Sequence, residues 1–259
     1  MDLLVEAELR DAAARPGCSL CRVGEEAAQR YLRYVLHEGV NDGATRIRLD
    51  RSWGFCRRHA WHFLGLEWGS MHDSLGMATL SEGLVDAAGD ILDAFLDAPP
   101  PRSRARGAGR APLEGLARAL EPAESCRACQ VQAEHESYAA TVLARTLEDP
   151  GWRQRFIESD GLCLVHFRAV VLTEESPERL RWLIEDYRRR LRELRSDLEE
   201  YARKHDYRFS QERYGREADV AVRATETLSG SWFDLPRRPR VGVEPERGVA
   251  KTKEEDSHG

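Results

Sequence analysis

Cys18-Ser19-Leu20-Cys21 and Gly54-Phe55-Cys56-Arg57-Arg58-His59 return later in the chain as Cys126-Arg127-Ala128-Cys129 and Gly161-Leu162-Cys163-Leu164-Val165-His166. The C-x-x-C pairs are offset by 108 residues and the C-x-x-H pairs by 107, so the spacing between the two elements changes by one residue. These positions account for all six cysteines of the chain. Tyr31 and Leu36 have near counterparts in Tyr138 and Leu143. An internal duplication is the reading.

Three thiols and one imidazole form a soft donor set, and four protein ligands leave a zinc ion no open position, which marks a structural site. A C-x-x-C pair sets two sulfurs on one tight turn, and the segments from Arg22 and from Gln130 read as helices whose starts favour thiolate. Cys56 and His59, like Cys163 and His166, stand three apart and share one face at the start of a helix. Gly54 and Gly161, two residues earlier, permit a sharp entry into that helix. The expectation is one Cys3His site per copy, hence two zinc ions per chain. Cys18, Cys21, Cys56 and His59 close the first, and Cys126, Cys129, Cys163 and His166 the second.

Other chemistries use the same residues. An iron-sulfur cluster takes the same soft ligands and stays open as an alternative. Disulfides need an oxidising compartment and leave the paired histidines unexplained. Covalent haem attachment is not expected, because Arg22 and Gln130 stand where that motif needs histidine.

Composition bounds the class. The 259 residues are 41% hydrophobic and 32% charged, with a formal net charge of -6, enough to bury a core. Met1 to Cys18 lacks both a basic start and an apolar run, and no apolar stretch is long. Neither a secretory signal nor a membrane span is read, and a cytoplasmic location is expected. Only Lys204, Lys251 and Lys253 among the 39 basic residues are lysine, which we read as nucleotide-composition bias. Arginines alternate with glutamates along the helical stretches, so no broad basic face forms and nucleic acid is not an expected partner.

The fold expected from this pattern is all-α: tandem pseudo-symmetric helical repeats, each closed by its own Cys3His site, with long amphipathic helices. Residues 1–98 form the first repeat, 99–112 a proline, glycine and arginine linker, and 113–204 the second repeat. A helical extension over 205–230 and a disordered tail over 231–259 follow. Within the first repeat, a loop after Asn41-Asp42-Gly43 is expected to deliver Trp53 to His59. From Glu178 to Lys204, Leu180, Ile184, Tyr187, Leu191, Leu194, Leu198 and Tyr201 make a heptad seam. It suits packing against the run Met71 to Ala98, or a homodimer through the helix at 178–204.

The paired C-x-x-C and G-[FL]-C-x-x-H elements resemble those of uncharacterised prokaryotic proteins classed only as a domain of unknown function. The resemblance runs through Lys204-His205-Asp206-Tyr207-Arg208-Phe209 and covers most of residues 15 to 230. It implies an α-helical metal-binding protein and supplies no reaction. No nucleophile elbow, phosphate-cradling loop or dinucleotide fingerprint occurs. The function expected is a zinc-binding interaction or regulatory module with a protein partner. The alternatives are an iron-sulfur or thiol redox protein, and a zinc hydrolase using His62 as base; His135 and the His205-Asp206 pair are ambiguous.

Overall fold

A computed structural model describes residues 2–98, 110–209 and 211–233. The described residues form helices and no strand. In chain order these are α1 (Asp2–Ala13), α2 (Ser19–Tyr34), α3 (Gly43–Arg51), α4 (Arg57–Met71), α5 (Leu75–Asp97), α6 (Arg110–Ala119), α7 (Arg127–Thr146), α8 (Pro150–Glu158), α9 (Leu164–Thr173), α10 (Pro177–Lys204) and α11 (Val220–Ser229). Among them no helix is long and apolar enough to cross a membrane. Most of the expected linker, and residues 234–259 of the expected tail, lie outside the described residues.

Several boundaries differ from the sequence reading, each for a local reason. The stretch after Asp42 is helix α3 rather than a loop, because the Asp42 carboxylate accepts hydrogen bonds from the Thr45 backbone N–H and hydroxyl, both at 2.8 Å. Asp149 does the same for α8, accepting from the Gly151 N–H at 2.9 Å with Pro150 at the first helical position. Helix α6 begins at Arg110, inside the expected linker. The terminal helix starts at Val220, after a 3-10 turn at Arg216–Asp219.

The chain divides into two compact units, Met1–Leu9 with Leu20–Val142 and Arg10–Ser19 with Leu143–Gly259. That division falls within α7 and does not follow the line between the two sequence copies. In the first unit, Leu32, Val35 and Leu36 pack with Leu49, Phe63, Leu80 and Ala128, and Phe55 stacks on Phe63 at 5.4 Å. Burying these apolar side chains stabilises that unit. Glu67 is fully buried in α4, and its carboxylate accepts the backbone N–H groups of Gly76 at 2.5 Å and Met77 at 3.1 Å. The carboxylate satisfies two orphan donors at the start of α5 and favours its dipole.

In the second unit, α10 packs against α11, and α11 against α9. Tyr187 of α10 stacks on Phe167 of α9 with ring centroids 4.0 Å apart. The seam expected on α10 is split by this packing: its Tyr187 is buried together with Leu183, which lies outside the seam, while Ile184, Leu191 and Leu198 face solvent. Arg190 does a second job. Its guanidinium donates to the carbonyls of Phe156 at 2.6 Å and Ser159 at 2.7 Å, capping the end of α8, and Asp186 holds its Nε at 2.6 Å.

Arg190 also lies against Gly161, the glycine that precedes Cys163 as Gly54 precedes Cys56. Gly54 and Gly161 have φ of 81° and 75°, the left-handed region, so both turns need glycine. A Cβ on Gly54 sits 3.1 Å from Leu84 Cδ1, and one on Gly161 sits 3.0 Å from the Arg190 guanidinium. We therefore expect Gly54→Ala and Gly161→Ala to lower unfolding free energy by roughly 1–3 kcal/mol each. Urea titration checks this; an unchanged midpoint for either variant contradicts the strained-turn assignment.

Candidate metal centres

Each C-x-x-C sits at a helix start. Cys18 directly precedes α2 and Cys126 directly precedes α7, so Cys21 and Cys129 fall in the first turn of those helices. Cys56 and Cys163 are the N-caps of α4 and α9, with ψ of 163° and 165°. His59 and His166 then follow within the first turn, and at Cys163 the sulfur also accepts the His166 backbone N–H at 3.5 Å. None of the six cysteines is in a disulfide.

All eight predicted ligands gather into two groups, but not in the pairing the sequence suggested. One group is Cys56, His59, Cys126 and Cys129; the other is Cys18, Cys21, Cys163 and His166. Each C-x-x-C therefore meets the C-x-x-H of the other copy. The expectation of one site closed within each copy is corrected on this point. Spacing determines which two donors share a turn, whereas the meeting of two such turns is decided by helix packing, which both copies could satisfy equally by sequence.

Within each group the four donor atoms all lie within 4.8 Å of one another. His59 presents Nδ1 to the sulfurs of Cys129 at 3.3 Å, Cys56 at 3.4 Å and Cys126 at 3.7 Å, and the Cys56 and Cys129 sulfurs are 3.6 Å apart. His166 Nδ1 lies 3.3 Å from Cys163 and 3.4 Å from Cys18. A tetrahedral ion with sulfur bonds of about 2.3 Å sets its sulfurs about 3.8 Å apart. The 3.6 Å between the Cys56 and Cys129 sulfurs is close to that edge length, so the group has the dimensions to hold one ion.

The electrostatics fit a cation. Burial, then the charges of Arg58 and His62, lowers His59 to about 4, which keeps the imidazole neutral and ready to donate a lone pair. Burial, then the neighbouring Cys126 and Cys56, pushes Cys129 up to about 12. Burial also raises Cys56, but the backbone N–H groups of His59 and Arg58 and the facing thiols outweigh it and hold that thiol below its usual value. In the other group, Tyr187 is raised to about 12 by burial and then by Cys163 and Cys18. Three sulfurs packed this closely ionise together only beside a positive charge.

His62, His135 and His205 are not members of either donor set. His62 Nδ1 lies 3.5 Å from the Glu25 carboxylate, His135 Nδ1 lies 2.9 Å from the Val131 carbonyl, and His205 Nδ1 lies 2.8 Å from the Tyr201 carbonyl. Sequence reasoning missed Glu25. It is 3% exposed in α2 and accepts a hydrogen bond from Arg58, the residue just before the ligand His59. Gln29 also donates to it at 3.3 Å, so a buried carboxylate anchors the ligand-bearing turn of α4 to α2. Glu25 stands beside Glu26 on α2, and nothing in the sequence marks which of the two is buried.

The fold and the donor sets define an all-helical protein with two candidate Cys3His metal centres. The chain belongs to DUF6062, a family of unknown function whose model matches residues 4–234. No curated protein and no solved structure matches it.

A pH dependence follows for the metal-free protein. His59 has an ordinary value of 6.5 unfolded and about 4 folded. Between these the unfolded chain binds a proton that the folded chain does not, so stability is full above pH 6.5 and is lost as pH falls toward 4. We expect a loss of about 2–3 kcal/mol across that window, removed in His59→Gln. Urea midpoints measured at stepped pH after chelation check it; a flat wild-type profile contradicts the buried neutral imidazole.

Proposed function

We propose that the protein carries two structural zinc ions, each held by ligands from both copies of the duplication, and that it acts without catalysis as an interaction or regulatory module. The observation that carries this reading is the compactness of the donor sets, with four ligand atoms inside 4.8 Å in each group. That spread suits a single ion and leaves no room for the inorganic core of an iron-sulfur cluster between the sulfurs. Three sulfurs and one imidazole complete a tetrahedron, so no coordination position remains for substrate water.

His62, the residue a hydrolase reading needs, is directed at Glu25 instead. Free energy of metal binding would then be free energy of folding, because the ligands come from helix starts far apart in the chain. The separation is 148 residues between Cys18 and His166 and 70 between Cys129 and His59. The six cysteines are free thiols, the form in which they can bind metal.

Metal counting on paired variants tests both the stoichiometry and the crossing. Wild type is expected to hold two zinc ions, colourless in the visible. Cys21→Ser with His166→Ala removes ligands from one crossed site and should leave one zinc. Cys21→Ser with His59→Ala touches both sites and should leave none or bind weakly. The opposite result, two damaged sites in the first variant and one in the second, would restore pairing within each copy. Visible absorbance from bound iron and sulfide in anaerobically purified wild type would replace zinc with a cluster.

A further inference from the structure

We propose that two copies of the chain pair by laying α5 of one antiparallel against α10 of the other. The inference starts from an imbalance in α5. This 23-residue helix contains Leu80 as its one buried residue, carries Glu82, Asp86, Asp90, Asp93 and Asp97, and has no basic residue. At 3.6 residues per turn those acids share the face opposite Leu80, Leu84 and Ile91. Between the inner face and the acidic face runs an exposed apolar line, Val85, Leu92 and Leu96.

Helix α10 carries the complement. Beside its buried Leu183 and Tyr187 lies the exposed line Ile184, Leu191 and Leu198, seven residues apart. Beyond that line stand Arg181, Arg188, Arg192 and Arg195. Arg181 pairs with Glu185 at 3.0 Å and Arg195 with Glu199 at 2.8 Å, whereas Arg188 and Arg192 have no acidic partner among the described residues. Exposure along the two lines runs from 40% at Leu191 and Leu198 to 77% at Leu96. These are continuous stripes of the kind that mark an interface.

Charge decides which stripe meets which. Around both helix axes the order is the same: buried face, apolar line, charged face. Antiparallel pairing of two such helices sets charged face beside charged face, while parallel pairing sets each charged face against the other's buried side. Antiparallel α5 on α5 therefore opposes acids to acids, and α10 on α10 opposes arginines to arginines. Antiparallel α5 on α10 joins acids to arginines over apolar lines of about 16 Å and 21 Å. Every copy owns both stripes, so one kind of contact can join any two copies.

Sedimentation equilibrium of the full-length, metal-loaded protein tests this. A dimer is expected, weakening as salt is raised. Reversing one side, with Asp86→Arg and Asp93→Arg on α5 or with Arg188→Glu and Arg192→Glu on α10, should raise the dissociation constant about tenfold or more. Combining the two reversals in one chain should restore it. All four positions are exposed, and unchanged far-ultraviolet dichroism and metal content show that folding is intact. A monomer up to the solubility limit overturns the proposal, as does a dimer indifferent to either reversal or one that the combined reversal fails to rescue.

Discussion

The packing of three thiols and one imidazole inside 4.8 Å, twice over, is the constraint on which the remaining features depend. Without a cation such a group resists ionisation, as at Cys129, which burial and then Cys126 push up. The local structure is arranged to impose it. Gly54 and Gly161 turn the chain sharply so that Cys56 and Cys163 cap their helices with the histidines one turn on. Arg190 clasps the carbonyls at the end of α8 just ahead of Gly161, and the Glu25–Arg58 pair ties the other ligand turn to α2. In both cases a buried or partly buried charge holds a backbone turn, and the backbone turn holds the ligands.

Much of this was legible in the sequence, and the boundary of legibility has a physical cause. Which residues can serve as donors, and the sharing of one helix turn by each pair, are local matters set by spacings of three residues, and both are legible directly. Helical class followed from apolar periodicity for the same reason. Helix α3 was missed because Asn41-Asp42-Gly43 reads equally as a break and as a cap, and only the Thr45 hydrogen bonds distinguish them. The seam on α10 was read as one stripe, yet Tyr187 and Ile184 fall on opposite sides of its packing edge. Period alone does not say how wide a face the neighbours cover.

The crossing of the two sites could not have been read, because chain entropy barely opposes it. Joining Cys21 to Cys163 closes a loop of 142 residues where joining it to Cys56 closes 35. The cost of loop closure grows only with the logarithm of length, so the difference is about 1.2 kcal/mol. For the other site, the 67 residues from His59 to Cys126 replace the 34 from Cys129 to Cys163, a difference of about 0.6 kcal/mol. Metal binding by such ligand sets is worth about 10 kcal/mol or more, so closure length does not select the partner.

What selects it is the side on which each ligand turn presents its sulfurs. In the first unit that is fixed by contacts with no motif signature: Phe55 stacked on Phe63, and Leu32, Leu36 and Leu49 packed with Cys126 and Ala128. Cys126 is itself a member of that apolar cluster, so the ligand of one copy is buried by side chains of the other. The crossed pairing and the hydrophobic core are therefore a single packing solution. A change that loosened Phe63 or Leu49 would act on the donor cluster through the position of Cys126, although neither residue contributes a donor atom.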